Sequence, residues 1–84
     1  MPAGYDYSLD GKAVSILLVC SAREQRSLVD AIEKLARYPG VRGDYSFLTE
    51  DGRTNEVLDL GDFVVTYWTD HAVRVVRILV IERV

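Results

Sequence analysis

The sequence holds one cysteine, one histidine and two prolines among 84 residues, and each scarcity closes off a class of protein. With Cys20 alone, no disulfide can form within the chain, which suits a reducing compartment. One Cys and one His supply no convergent ligand set, so neither a metal nor any other cofactor is expected. His71, between Asp70 and Ala72, reads as an exposed turn residue without the nucleophile and orienting partner that a catalytic histidine requires. Cys20 reads as an inert thiol closing a buried strand. Long hydrophobic runs are also missing. The stretch Ile16 to Cys20 falls far short of the ~20 residues that cross a bilayer, so no membrane is expected. Met1 to Asp6 lacks the basic region and apolar run of a signal peptide. Gly40-Val41-Arg42-Gly43 lacks the lysine and helix of a phosphate-binding loop. A cytoplasmic protein is expected. The net charge of −3 and pI near 5.0 speak against a nucleic-acid binder, whose affinity grows with each phosphate it neutralises. They suit a basic protein partner.

What is present is apolar and patterned. Hydrophobic residues make up 49% of the chain, a globular balance, and residues 1–84 suffice for a single domain. Tyr5 to Leu9 alternates as a half-buried strand, Asp10-Gly11-Lys12 reads as a turn, and Ala13 to Val19 reads as a second, buried strand closing an N-terminal hairpin. Ser21 and Glu24 have the spacing of a capping box. Leu28, Ile32 and Leu35 then repeat at helical spacing, and Pro39-Gly40 ends the helix near Tyr38. Asp44 to Thr49 and Thr54 to Leu60 form strands joined across Asp51-Gly52. Gly61-Asp62 turns into Phe63 to Thr69, and a last strand runs from about Val73 to Ile81. The expected architecture is α+β: an antiparallel sheet of about five to six strands with one helix packed on a face, in the order ββαββββ.

Ser21-Ala22-Arg23-Glu24 before the helix, Arg42-Gly43-Asp44 after it, and the strand Gly61-Asp62-Phe63-Val64-Val65-Thr66-Tyr67 together resemble the RelE/ParE toxin superfamily of bacterial type II toxin–antitoxin systems. The resemblance covers roughly Ala13 to Arg83. Members usually carry a helical hairpin, so this chain is expected to be a reduced, single-helix version with an extra N-terminal strand. In the RelE branch it implies cleavage of mRNA on the ribosome by basic side chains; in the ParE branch, action on DNA gyrase. Carried over by position, the strand arginine falls at Val64 and two lysines fall near Val57 and Asp59. Arg42 and Arg83 remain as candidate catalytic residues, with Arg53 or Arg77 in support. Phosphoryl transfer needs concentrated positive charge, so the resemblance implies a toxin-type protein acting mainly through protein binding, an mRNA interferase being the alternative. A non-toxic dimeric scaffold is the third reading.

Tyr45, Phe47, Tyr67 and Trp68 lack interleaved lysines and read as packing residues rather than a base-stacking platform. Alternation sends Tyr67 and Trp68 to opposite faces of the sheet. It also groups Val76, Ile78 and Val80 against Val75, Leu79 and Ile81. One helix cannot cover a strand that is apolar on both faces. Trp68, Tyr67, Val76, Ile78 and Val80 are therefore the expected partner-binding residues, the partner being an antitoxin segment or a second copy of the chain.

Overall fold

The structure, a computed structural model, describes residues 4–84. Met1, Pro2 and Ala3, the start of the segment read as lacking a signal peptide, lie outside the described residues. The elements are β1 (Asp6–Leu9), α1 (Gly11–Val19), α2 (Ala22–Arg37), β2 (Tyr45–Leu48), β3 (Thr54–Asp59), β4 (Phe63–Asp70) and β5 (Val75–Arg83).

The capping box forms as the spacing predicts. The Glu24 amide donates to the Ser21 hydroxyl at 3.2 Å, and the Ser21 amide donates to the Glu24 carboxylate at 2.9 Å. Along α2, Leu28, Ile32, Leu35 and Ala36 form the buried stripe. The strands from β2 onward also lie where the alternation puts them.

The N-terminal hairpin is corrected. Residues 11–19 form helix α1, with Asp10 in extended geometry as its N-cap. Ala13 is fully buried, and Ile16, Leu17 and Cys20 pack beside it on the core. These four recur at i, i+3, i+4 and i+7, the spacing of one helix face, and burial of that face overrides the β-propensity of Val14, Ile16 and Val19. The chain is therefore not the reduced, single-helix version expected: it has a helical hairpin, and the element order is βααββββ.

The five strands lie in the order β1-β5-β4-β3-β2. β2, β3, β4 and β5 pair antiparallel, whereas β1 pairs with β5 in parallel, Asp6 opposite Val75 and Leu9 opposite Ile78. The missing helical crossovers argue only against parallel pairing of consecutive strands. β1 and β5 are joined by the whole intervening chain.

A β-bulge decides which residues meet the helices. Thr66 pairs with Val80, but Tyr67 pairs with Ile78, leaving Leu79 as the extra residue. The bulge resets the alternation. Val76, Ile78 and Ile81 consequently join Phe63, Val65 and Tyr67 in the core beneath the helices, while Val75, Arg77 and Val80 share the open face with Val64, Thr66 and Trp68. Cover on the helix side is itself incomplete. The helices rest on β5 and β1, and β2 rests on β3 alone.

Candidate functional site

The open face carries the positions to which the resemblance assigns basic groups, and the register brings them together. Asp59 pairs with Val64, and Val57 pairs with Thr66 on the neighbouring strand. Cross-strand partners share a face of the sheet, so Val57, Asp59 and Val64 form one patch. It holds two valines and a carboxylate where an anionic substrate would need cations.

Towards the other end of β4 the face becomes more polar. The Arg53 guanidinium lies 4.6 Å from the centre of the Trp68 ring, and that of Arg77 lies 5.8 Å from it. Both distances fall within the range of cation–π attraction. Arg53 Nε donates to Asn55 Oδ1 at 3.3 Å, and Arg77 pairs with Asp70 at 3.5 Å. Beside them the loop after α2 walls a cleft of about 440 Å³, lined by Arg42, Arg53, Glu56, Trp68 and His71 among others. Glu56 is occupied there, since its carboxylate accepts the Gly43 amide at 2.9 Å. His71 is exposed in the β4–β5 turn, as expected, but it is not free: Tyr5 Oη lies 3.0 Å from its Nδ1. Among the described residues no three Cys, His, Asp or Glu side chains converge as metal ligands.

The two candidate catalytic arginines are not brought together. Arg42 lines the cleft near Trp68. Arg83 pairs with Phe63 at the opposite end of β4, five residues from Trp68, roughly 17 Å along the strand. It also faces the helix side. Its Nη1 donates to Glu24 Oε2 at 2.7 Å and its guanidinium lies 4.8 Å from the Phe63 ring centre. That hydrogen bond, with the Ser21 amide and the Arg83 charge, holds the Glu24 carboxyl down at about 2. The same contact raises the Arg83 guanidinium further above its usual range. Arg83 is a clasp between β5 and α2. Arg53, named only in support, is the arginine that shares the cleft with Arg42.

Of the five expected partner-binding residues, Tyr67, Val76 and Ile78 are at most 1% exposed and belong to the core. Tyr67 sits so deep that desolvation, with the negative charge of Glu56 and Asp44, pushes its phenol up to about 12. Trp68 and Val80 are the two on the open face. Cys20 is half-buried against the core, with Arg83 Nη2 at 3.7 Å from its sulfur.

An exposed sheet edge is a second expected binding surface, but its place in the chain and an apolar groove are supplied by the structure alone. Tyr45, Phe47 and Leu48 on β2 are 59%, 48% and 70% exposed, so this strand is a bare sheet edge. Between α2 and β3 runs an apolar groove of about 420 Å³, lined by Leu35, Tyr38, Val41, Leu58 and Leu60 among others. The exposed Tyr45 and Phe47 alternate as packing residues do. Nothing in their own pattern says that no helix reaches them.

A helical hairpin packs against a sheet whose parallel N-terminal strand lies beside an antiparallel C-terminal hairpin, an α+β fold. Solved structures share it closely. A chain of the toxin–antitoxin complex RelBE2 from Mycobacterium tuberculosis matches with a TM-score of 0.78 at 21% identity, over 96% of this chain and 99% of that one. A chain of the archaeal RelE–RelB complex from Pyrococcus horikoshii matches with a TM-score of 0.77 at 18% identity, over 95% and 94%. A chain of the intact E. coli RelBE toxin–antitoxin complex gives 0.64 at 11% identity, over 95% and 96%. No family model and no curated protein matches the sequence.

Proposed function

We propose that the chain is the toxin-type member of a toxin–antitoxin pair, a single cytoplasmic domain that works mainly by binding protein. The observation that carries this reading is the shared fold: along nearly its whole length the chain superposes on chains from three toxin–antitoxin complexes. Its expected partner is an antitoxin. Exposed apolar surface at β2 and in the α2–β3 groove supports a protein partner, since patches of this kind mark interaction sites. Induced expression in a bacterial host should arrest growth, and co-expression of the short open reading frame beside its gene should relieve the arrest. Undisturbed growth together with a stable complex would favour a non-toxic scaffold and sink the toxin reading.

The cleft favours one second reading, an mRNA interferase. Arg42 and Arg53 line it together with Trp68, so two cations and a stacking surface meet in one place. The folded double variant Arg42→Ala/Arg53→Ala should then lose growth arrest and mRNA cleavage on the ribosome. Arrest that persists in this variant defeats the interferase and leaves action on a protein target such as DNA gyrase.

A further inference from the structure

The geometry points to the open face as the contact between two copies of this chain, docked sheet to sheet about a two-fold axis. The inference goes beyond the toxin reading and does not depend on it. The register places charge of opposite sign at the two ends of this face. Val64 pairs with Asp59 on β3 and with Glu82 on β5, so two carboxylates flank it in one row across the sheet. Four residues further along β4, roughly 13 Å, Trp68 pairs with Arg77 and carries the Arg53 guanidinium over its ring. The row midway between them is uncharged: Thr66 pairs with Val57 and Val80, and Val57 pairs in turn with Tyr45 on β2.

These charges are available to an outside partner. Glu82 is exposed, and among the described residues it joins no ion pair. The amide of Asp59 is held by the Asp44 carboxylate, and its own Oδ1 accepts the Gly61 amide at 2.8 Å, which leaves its Oδ2 facing solvent. At the other end Arg77 pairs with Asp70 through Nη2, and Arg53 donates Nε to Asn55. Asp51, close to Arg53 in sequence, accepts the Thr49 hydroxyl instead. A guanidinium has five N–H donors, so both arginines keep donors for a further carboxylate.

Symmetry selects the occupant. The net charge of −3 on each copy opposes self-association unless unlike charges are set against each other. A two-fold axis that lies in the interface, crosses the strands and passes over the Thr66 row does this. It lays β3, β4 and β5 antiparallel on the same strands of the second copy. Glu82 then meets Arg77 of the second copy, Asp59 meets Arg53 of the second copy, and the symmetry repeats both contacts. An axis along the strands would instead set Asp59 against Glu82 and Arg53 against Arg77. The dimer also covers Tyr45 and Phe47, which are exposed on this face. Five strands and the 8 residues of β4 give a face of at most about 24 Å by 27 Å. That is roughly 650 Å², near the low end of specific complexes at about 600 Å² from each partner, so the dimer is weak and concentration-dependent. The α2–β3 groove lies on the other side and stays open.

Sedimentation equilibrium of the whole chain, carried into the submillimolar range, should show a monomer–dimer equilibrium that weakens as salt rises. Glu82→Arg and Arg77→Glu each set like charges together at both ends and should each weaken self-association at least about tenfold. Mixed in equal amounts, the two variants should associate again, because every altered side chain then meets its opposite. Thr66→Glu disturbs neither ion pair, yet brings two carboxylates together at the axis and should also abolish the dimer. Circular dichroism confirms each fold; should Arg77→Glu not fold beside Asp70, Glu82→Arg and Thr66→Glu decide alone. A monomer at every concentration, a dimer that Glu82→Arg and Thr66→Glu leave intact, or a mixture of folded charge variants that stays monomeric would each overturn the inference. Growth arrest by a chain that stays monomeric would remove this inference alone, whereas a dimer without arrest would remove the toxin reading alone.

Discussion

The bulge at Leu79 makes a sharp prediction, because it exchanges the faces of two adjacent residues. Simple alternation puts Val80 with Val76 and Ile78 in the core and turns Ile81 away. In the structure Ile81 is 1% exposed within the core, and Val80 lies half-buried on the open face. Truncating a buried isoleucine to alanine costs about 2–5 kcal/mol through lost transfer energy and the cavity left behind. Unfolding entropy of about 2.1 cal/mol/K per residue gives about 0.18 kcal/mol/K for 84 residues. Ile81→Ala, at about 3 kcal/mol, should then lower Tm by roughly 17 °C. Val80→Ala removes less surface, none of it beneath a helix, and should cost under about 1 kcal/mol, a shift of no more than roughly 6 °C. Far-ultraviolet circular dichroism during thermal and urea unfolding measures both variants. A loss in Val80→Ala equal to or larger than that in Ile81→Ala would refute the bulge and every face assignment that depends on it.

The Glu24–Arg83 clasp has a pH signature. The Glu24 carboxyl is held at about 2 against an ordinary value of 4.5, so the folded state resists its protonation. Its contribution is complete above the unfolded value and is lost as pH falls from about 4.5 towards 2. Glu24→Gln should therefore flatten the acid limb of a Tm–pH profile in that window, and an unchanged limb would count against the clasp. Tyr67 carries the opposite sign. With its phenol raised from 10.0 to about 12, stability should fall as pH rises through that interval, and Tyr67→Phe should abolish the part of the fall that tracks tyrosinate absorbance. Gly43→Ala should destabilise by about 1–3 kcal/mol, because a Cβ there would lie 2.5 Å from the Val57 carbonyl oxygen. Gly40→Ala, with nothing within 4 Å, serves as its near-neutral control in urea unfolding.

Elements governed by local chemistry were legible in the sequence. The Ser21–Glu24 capping box and the Pro39 stop bound α2, and Asp51-Gly52 and Gly61-Asp62 punctuate β2, β3 and β4. α1 was not legible as a helix, because Val14, Ile16 and Val19 masked the spacing of Ala13, Ile16, Leu17 and Cys20. That spacing becomes a core face only once β5 is there to receive it. The parallel partner of β1 stands at the far end of the chain, which no local pattern reveals. The bulge passed unseen because neither glycine nor proline marks Leu79. At the site, Val57, Asp59 and Val64, singled out by the resemblance, lie on one face through the β3–β4 register. The Arg83 clasp was not legible because its partner, Glu24, lies on another element, and only the folded chain shows the pair.

The fate of each arginine bears directly on what the open face can do. Arg77 is paired with Asp70, and Arg83 is spent on Glu24 across the sheet. Paired guanidiniums give up much of the field that a transition-state phosphate would use. Among the described residues lining the cleft, that leaves Arg42 and Arg53 as cations, with Glu56 across from them. Arg53 is further restrained by Asn55 and the Trp68 ring. The patch at Val57, Asp59 and Val64 adds no positive charge, and Val57 is only 5% exposed, flanked by Tyr45 and Thr66. An anionic substrate in the cleft would depend on these two guanidiniums. A protein partner has more to hold: an apolar groove between α2 and β3, and the exposed Tyr45, Phe47 and Leu48 of β2. The balance of charge and apolar surface therefore supports the proposed protein binding over phosphoryl transfer, and the Arg42→Ala/Arg53→Ala variant discriminates between them because, among the described residues lining the cleft, no other arginine or lysine can substitute.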